Sequence, residues 1–147
     1  MERGQDCTKA NLRLVNLAGQ DLRGMSFNGA DLTGANLEGA NLRFASFKEA
    51  TLEMASLRGA DLLGANFQEA NLCRACFQEA NLEEANLQKA NLLEATLHKA
   101  CLRKACLRGA CLRKAYFREA NLREADLRGA AISEVKLAGA DLEGTLF

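Results

Sequence analysis

Six cysteines and one histidine are the side chains of this 147-residue sequence with the most specific chemistry available to them. Cys73 and Cys76 have the C-x-x-C spacing of half a zinc site, and His98 is the only imidazole. A finger-type site needs a second pair of ligands at a matching interval, and none follows. Instead Cys101, Cys106 and Cys111 recur every fifth residue, and Cys7 stands apart near the start. The simpler reading is small, half-buried thiols kept reduced. The expectation is therefore no metal and no cofactor. Catalysis has less support still, because His98 has no Ser or Cys nucleophile and no Asp at a fixed spacing. The sequence offers no catalytic residues, and a non-enzyme is expected.

Charge gives the next candidates. The chain holds 19 Lys+Arg and 19 Asp+Glu, so its net charge is zero and no general nucleic-acid binder is implied. The charges are nonetheless segregated. Residues 49–94 carry three Lys/Arg and eight Asp/Glu, a net of −5, and residues 95–130 carry nine and three, a net of +6. Arg103, Arg108, Arg113, Arg118, Arg123 and Arg128 are spaced by five and form a basic series. Such a series suits a protein partner with an acidic surface. Binding of nucleic acid is disfavoured, because no aromatic platform accompanies the arginines and Tyr116 is the sole candidate for one. The complementary acidic candidates are Glu79, Glu83 and Glu84.

The element that must position these residues is a repeat of five. From Leu12 to Phe147 every fifth residue is large and apolar, giving 21 Leu, six Phe and Ile132. Two residues before each sits a small one, unbroken Ala from Ala30 to Ala130. Asn or Asp usually stands between them, and all 12 Gly share one phase, two residues after the apolar position. A helix advances ~500° in five residues, so its leucines would wind around every side. A strand fails because an odd period alternates faces. The chain must turn once per unit, with Leu and Ala inward, two residues outward, and Asn or Asp supporting the turn.

Two patterns set the number of units per coil. Phe27, Phe47 and Phe67 are 20 apart, Phe147 shares their phase, and Phe77 and Phe117 fall on the opposite side. Among charged residues in the second outward position, pairs 20 apart are opposite in sign eight times and alike once. Arg74, Glu94, Lys114 and Glu134 make one such column, and Glu84, Lys104 and Glu124 another. Opposite charges at strand-like spacing attract, so four units close one coil. Seven coils would stand roughly 34 Å tall. On this reading Arg103 lies over Arg123 and Arg108 over Arg128. These are like-charge stacks that leave the belt poorly matched within the domain.

Runs such as ADLTGANLEGANL, held in phase through nearly the whole chain, resemble the pentapeptide-repeat family. The resemblance implies an all-β fold, a right-handed quadrilateral β-helix of about seven 20-residue coils. The expected layout is an irregular lead-in over 1–9 and a single β-helix domain over 10–147. The leading functional expectation is a non-enzymatic protein-interaction scaffold presenting charged faces, as one domain of a longer protein. The resemblance also implies an alternative, since some members imitate duplex DNA and occupy the DNA site of type II topoisomerases. A third reading is a structural spacer or oligomerisation rod.

The last expectations concern ends and location. A solenoid has open coil edges, so Ile132, Leu146 and Phe147 are expected at an exposed end. This suggests a homodimer joined end to end, or excision from a longer chain. No apolar run nears the ~20 residues of a membrane span, and the opening MERGQDCTK lacks a signal-peptide core. With free cysteines, this leads to an expected cytoplasmic, reducing location and no membrane partner.

Overall fold

A five-residue unit opened by Asn or Asp and covered on both sides can satisfy all five of its backbone donors, which explains why the chain can coil so tightly. In the computed structural model, which describes residues 6–147, the unit Asp31–Ala35 serves as an example. The Leu32 N–H donates to the Thr51 carbonyl at 2.7 Å and the Gly34 N–H to Glu53 at 2.8 Å, both on the following coil. The Asp31 N–H reaches back to Ala10 at 3.0 Å, and the Ala35 N–H closes the turn onto Leu32 at 2.9 Å. The fifth donor, the Thr33 N–H, goes to Oδ1 of Asp31 at 3.0 Å. That last bond is why Asn and Asp open most units: a short side-chain oxygen caps the amide two residues on.

The turn itself is a β-turn with a left-handed third residue. Every second outward residue from Lys9 to Gly144 has positive φ, 11 glycines and 17 other residues with φ between 56° and 60° for the latter. This is the arrangement of a type II turn. Four such turns make the corners of a prism, and parallel bridges join each unit to the one 20 residues on, from Asp6↔Ser26 to Asp126↔Leu146. The charge columns thus had the correct period. We number the walls by their bridging ladders: wall 1 begins at Asp6, wall 2 at Asn11, wall 3 at Asn16 and wall 4 at Asp21.

Inside, only apolar groups are buried; no polar or charged residue is buried among the described residues. Leu or Phe from each wall meets a column of Ala at the corner before it. Phe27, Phe47 and Phe67 stack along wall 1, with ring centroids 5.0 and 4.7 Å apart and planes within 7°. Phe77 projects from wall 3 and meets Phe67 edge-on at 5.9 Å and 89°, so the two phases do face each other across the interior. Offset and edge-on rings are the favoured aromatic geometries.

Part of the expected lead-in already follows the repeat: Asp6 is bridged to Ser26, the Cys7 N–H donates to the Ser26 carbonyl at 2.8 Å, and Lys9 takes the left-handed turn, so residues 6–9 are regular and not irregular. Thr8 supplies the first outward residue, so a unit lacking Leu still follows the backbone pattern. The remainder of the expected lead-in, 1–5, lies outside the described residues.

Candidate interaction surface

Everything that could contact a ligand sits on the walls and corners, because the described residues enclose no pocket. The cysteines are distributed, not gathered. Cys76 stands on the wall 3 ladder between Ser56 and Thr96, while Cys101, Cys106 and Cys111 stand on walls 4, 1 and 2. Cys73 occupies the corner before wall 3, where burial pushes its thiol up from the ordinary value and Glu53 adds to the shift. A thiol held protonated is a poor metal ligand. All six cysteines are free, and no His/Cys/Asp/Glu group among the described residues has a metal-holding arrangement. His98 Nδ1 lies 3.0 Å from the Arg118 carbonyl, which can only accept, so that nitrogen carries the hydrogen.

The charge columns are formed in part. Arg74 meets Glu94 at 2.9 Å, Lys99 meets Glu119 at 3.7 Å and Lys104 meets Glu124 at 4.0 Å. Lys114, between Glu94 and Glu134 in its column, makes no ion pair among the described residues.

The arginine belt requires a correction. The like-charge stacks of Arg103 over Arg123 and Arg108 over Arg128 do not leave these groups unmatched. Arg103 is paired with Glu83. Arg123 reaches Asp141 at 3.4 Å and Glu143 at 2.6 Å. Arg128 grips Asp126 with two bonds, Nε to Oδ1 at 2.9 Å and Nη2 to Oδ2 at 2.7 Å. Arg108 approaches the same carboxylate at 3.9 Å, and Arg118 meets Glu119 at 3.1 Å. Arg128 in particular holds the Asp126 carboxyl down at about 2. The physical reason is reach. A long Arg in the first outward position contacts the Asp that opens the next coil's unit, 18 residues on, as Arg13 does with Asp31 at 3.0 Å and Arg43 with Asp61 at 3.2 Å. Arg103–Glu83 and Arg123–Glu143 lie 20 apart, Arg108–Asp126 and Arg123–Asp141 18 apart, and Arg118 and Arg128 pair with Glu119 and Asp126 beside them, so considering only the Arg-over-Arg stacks misses all three kinds of partner. Of the six belt residues, Arg113 alone forms no ion pair among the described residues.

On the acidic side, Glu79 accepts from Gln78 Nε2 at 3.1 Å and lies 4.0 Å from Arg58, and Glu83 is taken by Arg103. Glu84 makes no ion pair among the described residues. Ile132, Leu146 and Phe147 are exposed, Phe147 to 61%. The sequence reading did not single out Leu14 and Phe44, 78% and 63% exposed, at left-handed corners. Each lies over a glycine of the next coil: a Cβ at Gly34 would come within 2.7 Å of Leu14, and one at Gly64 within 2.7 Å of Phe44. Their sequence signal, shared with the exposed Met54, was a large apolar residue in the phase that otherwise holds Gly and charged groups.

A prism of five-residue units with four to a coil defines the class of protein, and the family comparison agrees. The model described as pentapeptide repeats matches residues 10–46, 40–78, 75–113 and 110–147, and the chain belongs to the pentapeptide-repeat family. It is a right-handed quadrilateral β-helix of about seven coils. Among solved structures, Rfr23, a pentapeptide-repeat protein from the cyanobacterium Cyanothece, is 34% identical with a TM-score of 0.61. That match covers 63% of each chain, so this sequence spans less than two thirds of the Cyanothece protein. A pentapeptide-repeat protein of the Arabidopsis thaliana thylakoid lumen is 39% identical over 72% of this chain and 70% of its own, with a TM-score of 0.55. QnrB1, a plasmid-mediated fluoroquinolone resistance protein, is 20% identical over 97% of this chain and 90% of its own; its TM-score is 0.45, and the likeness carries no argument. No curated protein matches significantly by sequence.

Proposed function

We propose that this domain is a non-enzymatic interaction scaffold that meets an acidic protein surface through its basic coils. The observation that carries the reading is the separation of roles along the unit. Three of five positions build the core and the ladder, and recognition is left to the two outward positions, where residues 95–130 hold a net +6. Because most belt arginines also hold internal carboxylates, the contact centres on the basic charge those coils have in excess. Free thiols support a reducing compartment.

The test is capture of partners by the wild-type chain and by a variant carrying Glu at Arg103, Arg108, Arg113, Arg123 and Arg128. A partner retained by wild type and lost with the variant supports the reading. A partner kept equally by both removes the basic coils from it. Mimicry of duplex DNA is not favoured, because the −5 segment spans little more than two coils and is followed at once by the basic ones. A topoisomerase supercoiling assay would show no inhibition.

A further inference from the structure

Of the described cations, Lys9, Lys89, Arg113, Lys114 and Lys136 make no ion pair, while the rest each hold a carboxylate. Three of these five surround one residue. Arg113 and Lys114 form the corner that leads into wall 3 at Tyr116, and Lys136 is bridged to Tyr116 from the next coil. Tyr116 is itself out of pattern. The ladder it belongs to reads Asn16, Asn36, Ser56, Cys76, Thr96, Tyr116, Lys136, so an aromatic ring follows a run of small side chains. The ring is 49% exposed, and its hydroxyl makes no hydrogen bond among the described residues.

The acidic groups around this patch limit what can bind there. Glu94 is held by Arg74, and Glu119 by Lys99 and Arg118. Glu134, below Lys114 in its column, makes no ion pair among the described residues. The patch therefore keeps a net positive charge but is framed by carboxylates one corner or one coil away. A continuous polyanion running past the patch would meet them and be repelled. A short segment with two or three carboxylates and an apolar side chain between them would not.

We propose that wall 3 at Tyr116, flanked by Arg113, Lys114 and Lys136, is the docking site for an extended acidic peptide segment of a partner protein. The inference rests on the interaction reading above and narrows it to one wall. Carboxylates of the segment pair with the three free cations, and its apolar side chain covers the Tyr116 ring, which offers flat area at little cost in side-chain freedom. Neighbouring coils at ~4.8 Å spacing place Lys136 within one residue's reach of the ring.

The sequence supplies its own probe, since Tyr116 is the only tyrosine and there is no tryptophan. Tyrosine emission is followed while adding a short unlabelled peptide of alternating Glu and Ala with one central Leu. The expected result is a saturable change in emission. Arg113→Glu with Lys136→Glu should weaken the peptide at least about tenfold, whereas Lys9→Glu with Lys89→Glu, the two unpaired cations elsewhere, should leave it unchanged. Tyr116→Thr, read by peptide calorimetry, should weaken it as well, and circular dichroism confirms that each variant keeps its fold. The proposal is overturned by no saturable change, by equal loss in both double variants, or by a thymidine oligonucleotide that binds more tightly than the peptide. Failure here with continued loss of a captured partner in the belt-reversed variant would remove this wall and leave the interaction reading standing.

Discussion

The residue that opens each unit decides how well its turn is held. Asp126 caps the Arg128 N–H at 3.1 Å, whereas Cys106, one coil earlier on the same ladder, leaves the Arg108 N–H without a side-chain acceptor. Replacing Cys106 with Asn restores that bond, and its amide can also bridge along the ladder as Asn91 does to Asn71 at 3.1 Å. The expected outcome is a gain of about 0.5–1.5 kcal/mol, read from urea midpoints. Acid acts on the same positions. Asp31 is held down at about 2 by the Thr33 hydroxyl and amide and then by Arg13, and Asp126 at about 2 chiefly by Arg128. Both pKa values lie below the unfolded value of ~3.9, so their contribution is full above that pH and is lost as the pH falls towards about 2. Melting temperatures should therefore drop across that window, and less so in Asp31→Asn and Asp126→Asn. The turn-capping role of Asn and Asp was legible in the sequence, because all of the Asn and Asp residues except Asn28 share one phase. The diagonal Arg pairs were not, because they depend on side-chain length across a wall.

One coil is the unit of packing, and its tolerance differs sharply between its two inward positions. Leu82 is fully buried, so Leu82→Ala leaves a cavity and should cost ~2–5 kcal/mol. Ala75 is equally buried at a corner, where a larger side chain has no room. Ala75→Leu should cost ~1–3 kcal/mol through overpacking, in spite of its greater hydrophobicity. Denaturant titration of both variants checks the pair, and a stabilised Ala75→Leu would refute the packing account. The corners carry their own constraint. Gly64 has a φ of 63° and lies under the Phe44 ring, so Gly64→Ala combines a left-handed Cβ with a clash. Gly59, with open space around its Cβ position, meets only the first penalty. Gly64→Ala should therefore be the more costly of the two by thermal melting. The Leu and Ala phases, and with them this asymmetry, were readable from the sequence. That Leu14 and Phe44 fold down over Gly34 and Gly64 was not, since it depends on the side-chain conformations at the corners and not on the period.

Across the whole molecule, each coil touches only its neighbours, so protection should be graded and not all-or-none. In the stretch 131–142 the donors alternate. Ala131, Lys136 and Asp141 give their N–H groups to Ala110, Ala115 and Ala120 at 2.9–3.0 Å, whereas those of Ile132, Leu137 and Leu142 have no backbone acceptor among the described residues. Amide exchange followed by NMR should be slow for the first three and fast for the second three at low concentration. Slowing of the second set as concentration rises would show another copy seated on that edge. The distribution of charge also belongs to this scale, because the −5 and +6 stretches occupy successive coils and give the prism a charge gradient along its axis.

Period, phase and composition alone determined that this chain turns every fifth residue, closes a coil every 20 and buries Leu, Phe and Ala. The reason is that a repeat imposes the same backbone hydrogen bonds on every unit, so one solution must serve them all. The tertiary structure alone decided which charges are free. Outward side chains are long and flexible, and each paired belt Arg settles among carboxylates one or two residues away in its own unit and 18 or 20 residues away on the neighbouring coil. That is why five arginines expected to be available hold carboxylates of their own, while Arg113, Lys114 and Lys136 stand free around Tyr116.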